Sequence, residues 1–284
     1  YWIEKGKRIP HHQRAIRSLL VPTVLYRLLE LQRASPRDCS SLSTLIYGAA
    51  PMSAAKLEDL ITCFGPIFAQ VYAATEVAMF VSTLDKAAHT DDGRAKRLSS
   101  AGRPTPGVEV AVTDEQGEPL ATGQRGEIRI RCRAVIKGYY NNPEATATEF
   151  SDGAWKSGDL GYIDEDGCLY IVDRLKDMII SGGFNVYAIE VEGALASHPA
   201  VMMAAVVGIP HPEWGEAVHA EVLLRPGASV EAPELMAHAK EKLGSYKAPK
   251  SIVFVDQLPT SLVGKVLRRA VKEKYWQHTQ RRVN

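Results

Sequence analysis

The chain has 284 residues, 45% hydrophobic and 24% charged, with a formal net charge of +1; that length suits about two domains of ordinary globular composition. So small a charge excludes a global field that recruits nucleic acid or an acidic membrane. The four cysteines, Cys39, Cys63, Cys132 and Cys168, form no C-x-x-C pair, which suits reduced thiols in a cytoplasmic protein and argues against structural zinc.

Three textures follow one another. Residues 1–98 read as α/β. Leu25, Leu28, Leu29 and Leu31 recur at near-helical spacing behind a boundary at Pro22. Leu42 to Tyr47 reads as a strand entering the loop Gly48-Ala49-Ala50-Pro51, and Ser53 is placed to cap a helix over Ala54 to Cys63. Phe68 to Tyr72 is the next strand. Residues 99–174 are β-rich. Val108 to Val112 and Glu127 to Arg131 alternate apolar and polar residues, and turn formers bound them at Asp114 to Gly117, Thr122-Gly123 and Asp164 to Gly167. A small, distorted antiparallel barrel or sheet is expected.

Residues 175–284 return to α+β, with helices expected at Ala188 to Ser197, Ala232 to Leu243 and Lys265 to Trp276, and strands at Val201 to Gly208, Ala217 to Leu224 and Ser251 to Val255. The longest apolar run, Ala200 to Ile209, is about half of what a bilayer span requires, so no transmembrane segment is expected. The basic residues Arg268, Arg269, Lys272, Lys274, Arg281 and Arg282 read as the solvated face of a terminal helix. His11-His12 and His211 carry no metal-ligand spacing. The first residue is Tyr1, which leads us to expect a portion of a longer polypeptide.

Four local signals carry chemistry. Tyr72-Ala-Ala-Thr75-Glu76 follows a strand; its hydroxyl and carboxylate suit a phosphate and Mg²⁺, or else a strand end with a helix cap. Trp155-Lys-Ser-Gly158-Asp159-Leu-Gly161 sets a carboxylate between glycines, suited to a ribose diol, or else to a turn. Ser181-Gly-Gly183-Phe-Asn185 is a flexible loop or a hairpin. Gly264-Lys265 puts a cation at an expected helix start, where the dipole disfavours it unless an anion arrives. The charged segment Asp173-Arg-Leu-Lys-Asp177 suits a hinge.

In order, these signals resemble the acyl-adenylate-forming superfamily, which includes acyl-CoA synthetases, amino-acid adenylation domains and beetle luciferases. The likeness runs from about Val21 to Arg269 and also takes in Tyr47 to Pro51, Gly138-Tyr-Tyr-Asn-Asn-Pro-Glu-Ala-Thr146 and Tyr246 to Lys250. It implies a large domain's carboxyl-terminal part over 1–174 and a mobile lid over 175–284, with ATP, Mg²⁺ and coenzyme A as cofactors. Gly48, Ala49 and Ala50 would line the adenine and acyl pockets, and Tyr72 would stack on adenine. Thr75 would contact phosphate, Glu76 would hold Mg²⁺, and Asp159 would bind ribose with Arg174 nearby. Lys176 would be the hinge, Gly183 would line the pantetheine tunnel, and Lys265 would reach the carboxylate and α-phosphate. Two positions depart from the family, Ala73 where glycine is usual and Ala188 where proline is frequent. The Ser/Thr/Gly-rich phosphate loop is absent from the chain. The implied activity is a carboxylate–CoA ligase acting through acyl-AMP, on a small-molecule acid. A medium- or long-chain fatty acid is expected because Ala49, Ala50, Ala73 and Ala74 leave room for an apolar chain. The alternatives are an amino-acid or aryl-acid adenylating enzyme, or an inactive fragment.

Overall fold

The computed structural model describes residues 16–276 except Asp92 and Val263; the expectations for His11, His12, Arg281 and Arg282 lie outside the described residues. The first sheet is built from β1 (Arg17–Leu20), β2 (Thr44–Gly48) and β3 (Phe68–Ala74) in parallel, followed by antiparallel β4 (Met79–Leu84) and β5 (Arg103–Pro104). Helices α1 (Pro22–Ala34) and α2 (Ala54–Phe64) make the crossovers that parallel pairing requires. Pro22 fits the first turn of α1, where its missing N–H costs nothing. Leu25 and Leu29 are buried, while Leu28 and Leu31 are exposed, so the helix buries a narrower stripe than its four leucines suggest. Ser53 makes no side-chain cap; its backbone N–H donates to the Tyr26 hydroxyl at 3.2 Å. The segment after β3 is not a helix cap either. Residues 75–78 turn tightly, Ala78 takes φ 54°, and the chain reverses into β4. A short α3 (Arg94–Arg97) precedes β5.

The second sheet is antiparallel. It comprises β6 (Glu109–Thr113), β7 (Gly126–Arg131), β8 (Phe150–Ser151), β9 (Ala154–Ile163) and β10 (Leu169–Arg174), in the order β10-β9-β7-β6 with β8 on β9; α4 (Pro143–Glu149) leads into β8. Its end strands do not pair with each other, so of the two expected forms it takes the sheet. The Gly158-Asp159 turn alternative fails, because both residues lie inside β9. Val77, Val81, Ile128, Ile130, Trp155 and Leu169 form the core that joins this sheet to β4.

A 3-10 turn over Leu175–Asp177 leads to the third sheet: β11 (Ile179–Ser181), β12 (Phe184–Val186), β13 (Val201–His211), β14 (Gly215–Leu224) and β15 (Ser251–Phe254). Helices α5 (Ala188–Ala196) and α6 (Ala232–Leu243) cover one face through Val191, Leu195, Leu235 and Ala239. The other face, carrying Met203, Ala205 and Val207, packs with Val271 of α7 (Arg268–Trp276). The same cluster contains Leu25, Leu29 and Leu57 of α1 and α2, so first and third sheets share a core.

Helix α7 corrects two expectations. It starts at Arg268 rather than Lys265. Its basic residues also do not form a solvated face. Lys272 reaches Glu216 at 3.2 Å and Lys274 reaches Glu221 at 2.8 Å, both carboxylates being buried on β14. His219, held neutral by burial, lies between the Ser251 and Tyr275 hydroxyls at 2.7 and 2.8 Å. Arg269 behaves as expected: it is exposed, and it pairs with Glu273 one turn on.

Polar contacts line the seam between first and third sheets. Lys56 Nζ donates to the Val201 carbonyl at 2.5 Å, and Arg225 pairs with Asp59 at 3.0 Å. Lys56 is 3% exposed, and burial pulls its pKa from 10.5 to about 8. Between these values the unfolded chain binds more protons than the folded one, so stability rises with pH, by up to about 3 kcal/mol. The thermal midpoint should therefore climb from pH 8 to pH 10.5 relative to a Lys56→Met variant; a gap that stays constant with pH removes the claim.

Candidate functional site

The site begins with a distortion in β9. Lys156 pairs with Arg129 and Leu160 with Glu127, so Ser157, Gly158 and Asp159 stand opposite Ile128 alone. Gly158 takes φ 67°, a left-handed value that favours glycine. The Ser157 hydroxyl closes the bulge, donating to the Ile128 carbonyl at 2.7 Å and accepting from Asp159 N–H at 3.0 Å. Bulges re-aim side chains, and here the re-aimed residue is Asp159.

Asp159 is 6% exposed. Its Oδ2 accepts from the Tyr72 hydroxyl at 2.6 Å, and its Oδ1 accepts from Arg174 Nε at 3.2 Å. The register makes the second contact inevitable, since Asp159 and Arg174 are cross-strand partners. Burial, reinforced by the charge of Asp159, pushes the Tyr72 hydroxyl well above the ordinary tyrosine range, so it stays a donor. Each carboxylate oxygen has one further acceptor position. Asp159 therefore retains capacity for two hydroxyls of a diol.

Lys265 arrives from the far end of the chain. The charges of Arg174, Asp159, Arg268 and Asp177 all act on it; burial, followed by Arg174, lowers its pKa, and Asp159 opposes them. Its loop is turned by Gly264 at φ 85°, by Lys265 N–H donating to Ser261 Oγ at 3.1 Å, and by Ser261 N–H donating to the Lys265 carbonyl at 2.8 Å. The Thr23 hydroxyl donates to the Gly264 carbonyl, which ties this loop to α1. The cation thus sits before its helix rather than on the first turn.

Glu76 lies in the β3–β4 turn and Thr75 beside it is exposed. The Tyr139 hydroxyl lies 3.1 Å from Glu76 Oε1 and 2.5 Å from Glu149 Oε2. Among the described residues no three His, Cys, Asp or Glu side chains group as a metal cage. A single carboxylate suits Mg²⁺, which keeps waters and phosphate oxygens as its remaining ligands. Gly48 packs so closely on β3 that a Cβ would meet the Val71 carbonyl at 2.4 Å. Ala49 follows at φ 63°, a strained value outside glycine, and is exposed; Ala50 is half-buried. Strain of this kind, on the order of 1–3 kcal/mol, collects at functional loops.

Tyr72, Asp159 and Arg174 are thus brought together, and Lys265 lies within reach of the charges of Asp159 and Arg174. Gly183 is exposed at the tip of the β11–β12 hairpin with φ 83°, and Lys176 is exposed in the 3-10 turn. Neither has a contact with the Asp159 group among the described interactions. Sequence reasoning assigned no role to Tyr139 or Arg268, although both lie in motifs it singled out.

A family model described as AMP-binding enzyme matches residues 12–140, and a second, described as AMP-binding enzyme C-terminal domain, matches residues 190–265. The chain is 44% identical over 283 residues to the medium/long-chain-fatty-acid–CoA ligase FadD8 of Mycobacterium tuberculosis, covering 97% of this chain and 49% of that protein. It is 42% identical to a feruloyl-CoA synthase of Amycolatopsis sp, covering 90% and 51% respectively. Among solved structures, the amide bond synthetase McbA of Marinactinospora thermotolerans superposes with a TM-score of 0.85 at 37% identity, over 93% of this chain and 54% of that one. The chain spans about half the length of the curated relatives it matches.

Proposed function

This chain belongs to the AMP-binding enzyme family, and from that premise we propose that the polypeptide carrying it is an ATP-dependent carboxylate–CoA ligase working through an acyl-AMP intermediate. The observation that supports this most directly is the convergence of Asp159, Arg174, Tyr72 and Lys265, from four separated stretches, on one place. We read residues 1–174 as the end of the large domain and 175–284 as its lid, acting in the cytoplasm. Among the described residues no helix is long and apolar enough to cross a membrane.

The chemistry follows from charge. In the first half-reaction an acid's carboxylate attacks the α-phosphate of ATP, and pyrophosphate leaves. Anion approaches anion, so a cation held in a partly desolvated place lowers the barrier; Lys265 takes that role. Asp159 binds the ribose diol with the capacity left by Tyr72 and Arg174. Thr75 contacts phosphate, and Gly48, Ala49 and Ala50 line the nucleotide and acyl pockets beside Tyr72. Glu76 would hold Mg²⁺, which when bound supplies further neutralisation of phosphate charge. In the second half-reaction the CoA thiol attacks the acyl carbonyl and AMP leaves, with Gly183 beside the pantetheine and Lys176 as the hinge between poses.

The substrate class is a medium- or long-chain fatty acid, supported by the similarity to the M. tuberculosis fatty-acid–CoA ligase. An aryl acid is the second reading, favoured by the 42% identity to a feruloyl-CoA synthase. An ATP–pyrophosphate exchange screen of fatty, aryl and amino acids on the complete polypeptide tests both. Exchange with fatty acids is expected, and exchange with amino acids alone overturns the proposal.

Tyr139 bears on the metal. One hydroxyl proton steadies one carboxylate at a time, and outer partners of metal ligands typically tune affinity by about 10–100-fold. Tyr139→Phe should raise the Mg²⁺ concentration for half-maximal exchange by about ten-fold, with the rate at saturating Mg²⁺ little changed. An unaltered Mg²⁺ dependence would take Tyr139 out of the site.

A further inference from the structure

The guanidinium of Arg268 holds three carboxylates. It grips Glu192 of α5 with two parallel bonds, Nε to Oε1 at 2.7 Å and Nη2 to Oε2 at 2.5 Å. Its Nη1 reaches Asp173 Oδ1 at 3.2 Å and Asp177 Oδ2 at 3.3 Å. Asp173 is fully buried at the end of β10. It also accepts from the backbone N–H groups of Arg174 and of Ala188, where α5 starts. Arg268 stands three residues after Lys265, and Asp173 stands one residue before Arg174, the partner of Asp159.

These partners differ in which side of the hinge they occupy. If the chain swivels at Lys176, Glu192 and Asp177 travel with Arg268 and Asp173 does not. Removing one member of a buried pair strands the other's charge, so the Arg268–Asp173 contact favours a discrete pose over a range of intermediate ones. The Lys265 loop is closed on itself by Ser261 and tied to α1 by the Thr23 hydroxyl, and Arg268 adds its anchor to β10 three residues on. We propose that Arg268 and Asp173 are positioning residues, an interdomain latch that holds Lys265 over the Asp159 group for the first half-reaction and must part before the second. This rests on the ligase reading and on Lys176 as the hinge.

The test uses the complete polypeptide with Asp173→Asn and, separately, Arg268→Lys, which keeps the charge but loses the planar fork. ATP–pyrophosphate exchange reads the first half-reaction; thioester formation from supplied acyl-AMP and CoA reads the second. Asp173→Asn should slow exchange by about ten-fold while thioester formation changes by less than about three-fold, with Arg268→Lys showing the same split. Equal losses in both half-reactions, or undiminished exchange, overturn the latch. A readout independent of activity is tryptic cleavage after Arg174 and Lys176, both exposed. It should accelerate by about ten-fold in Asp173→Asn while cleavage at sites in the first and second sheets keeps its wild-type rate, and unchanged cleavage sinks the latch on its own. Wild-type protein without exchange for any acid sinks the ligase reading instead.

Discussion

Replacing Lys265 with alanine in the complete polypeptide should cut ATP–pyrophosphate exchange by about a hundred- to a thousand-fold, the loss typical of removing a preorganised group aimed at developing charge. Thioester formation from supplied acyl-AMP should stay within about three-fold, because that step has no attack of anion on anion. The reason lies in the amine's surroundings. It is half-buried, and the charge of Arg174 adds to burial in lowering its pKa. A partly desolvated ammonium that also feels a guanidinium's charge is poorly satisfied until an anion reaches it. Lys265 is therefore poised for a ligand rather than for a protein partner, and neither ion pair nor side-chain hydrogen bond occupies its Nζ among the described contacts. Separate assays of the two half-reactions decide the matter; equal loss in both would assign the lysine to general folding.

The second large effect is expected at Asp159. Each hydrogen bond to a charged group is worth roughly 1.5–3 kcal/mol, so loss of a two-point grip on a ribose diol amounts to about a hundred-fold or more in nucleotide affinity. Asp159→Ala should show that loss by calorimetric titration with ATP. It should also leave the Tyr72 hydroxyl without its 2.6 Å acceptor and Arg174 without its 3.2 Å partner. Asp159→Asn keeps one of the two acceptor oxygens, loses the charge, and should fall between alanine and wild type. An alanine variant that binds ATP as tightly as wild type removes Asp159 from the nucleotide site.

Much of the fold was legible because local patterns and tertiary demand agree. Alternation over Val108 to Val112 and Glu127 to Arg131 gave β6 and β7, and the apolar run at Val201 gave β13. Where they disagree, the local alternatives fail for a physical reason. Gly158-Asp159 reads locally as a turn, yet neighbours on both sides keep it in β9, and the glycine is spent on a bulge. The Thr75-Glu76 segment ends in a hairpin because β4 pairs back onto β3, a long-range fact that no local cap predicts. The charges of α7 read as solvated because their partners, Glu192, Glu216 and Glu221, lie tens of residues away. The resemblance puts Arg174 near Asp159, and the strand register is what pairs them. Tyr139 and Arg268 escaped assignment for the same reason: each is informative only through a distant carboxylate.

Helix α7 also fixes a temporal order. On the ribosome, β10 is made 95 residues before the arginine that compensates Asp173, and Glu221 precedes Lys274 by 53. Until α7 emerges, these carboxylates have no cation and must stay hydrated. The last helix therefore supplies the cations that neutralise carboxylates buried in strands made long before it.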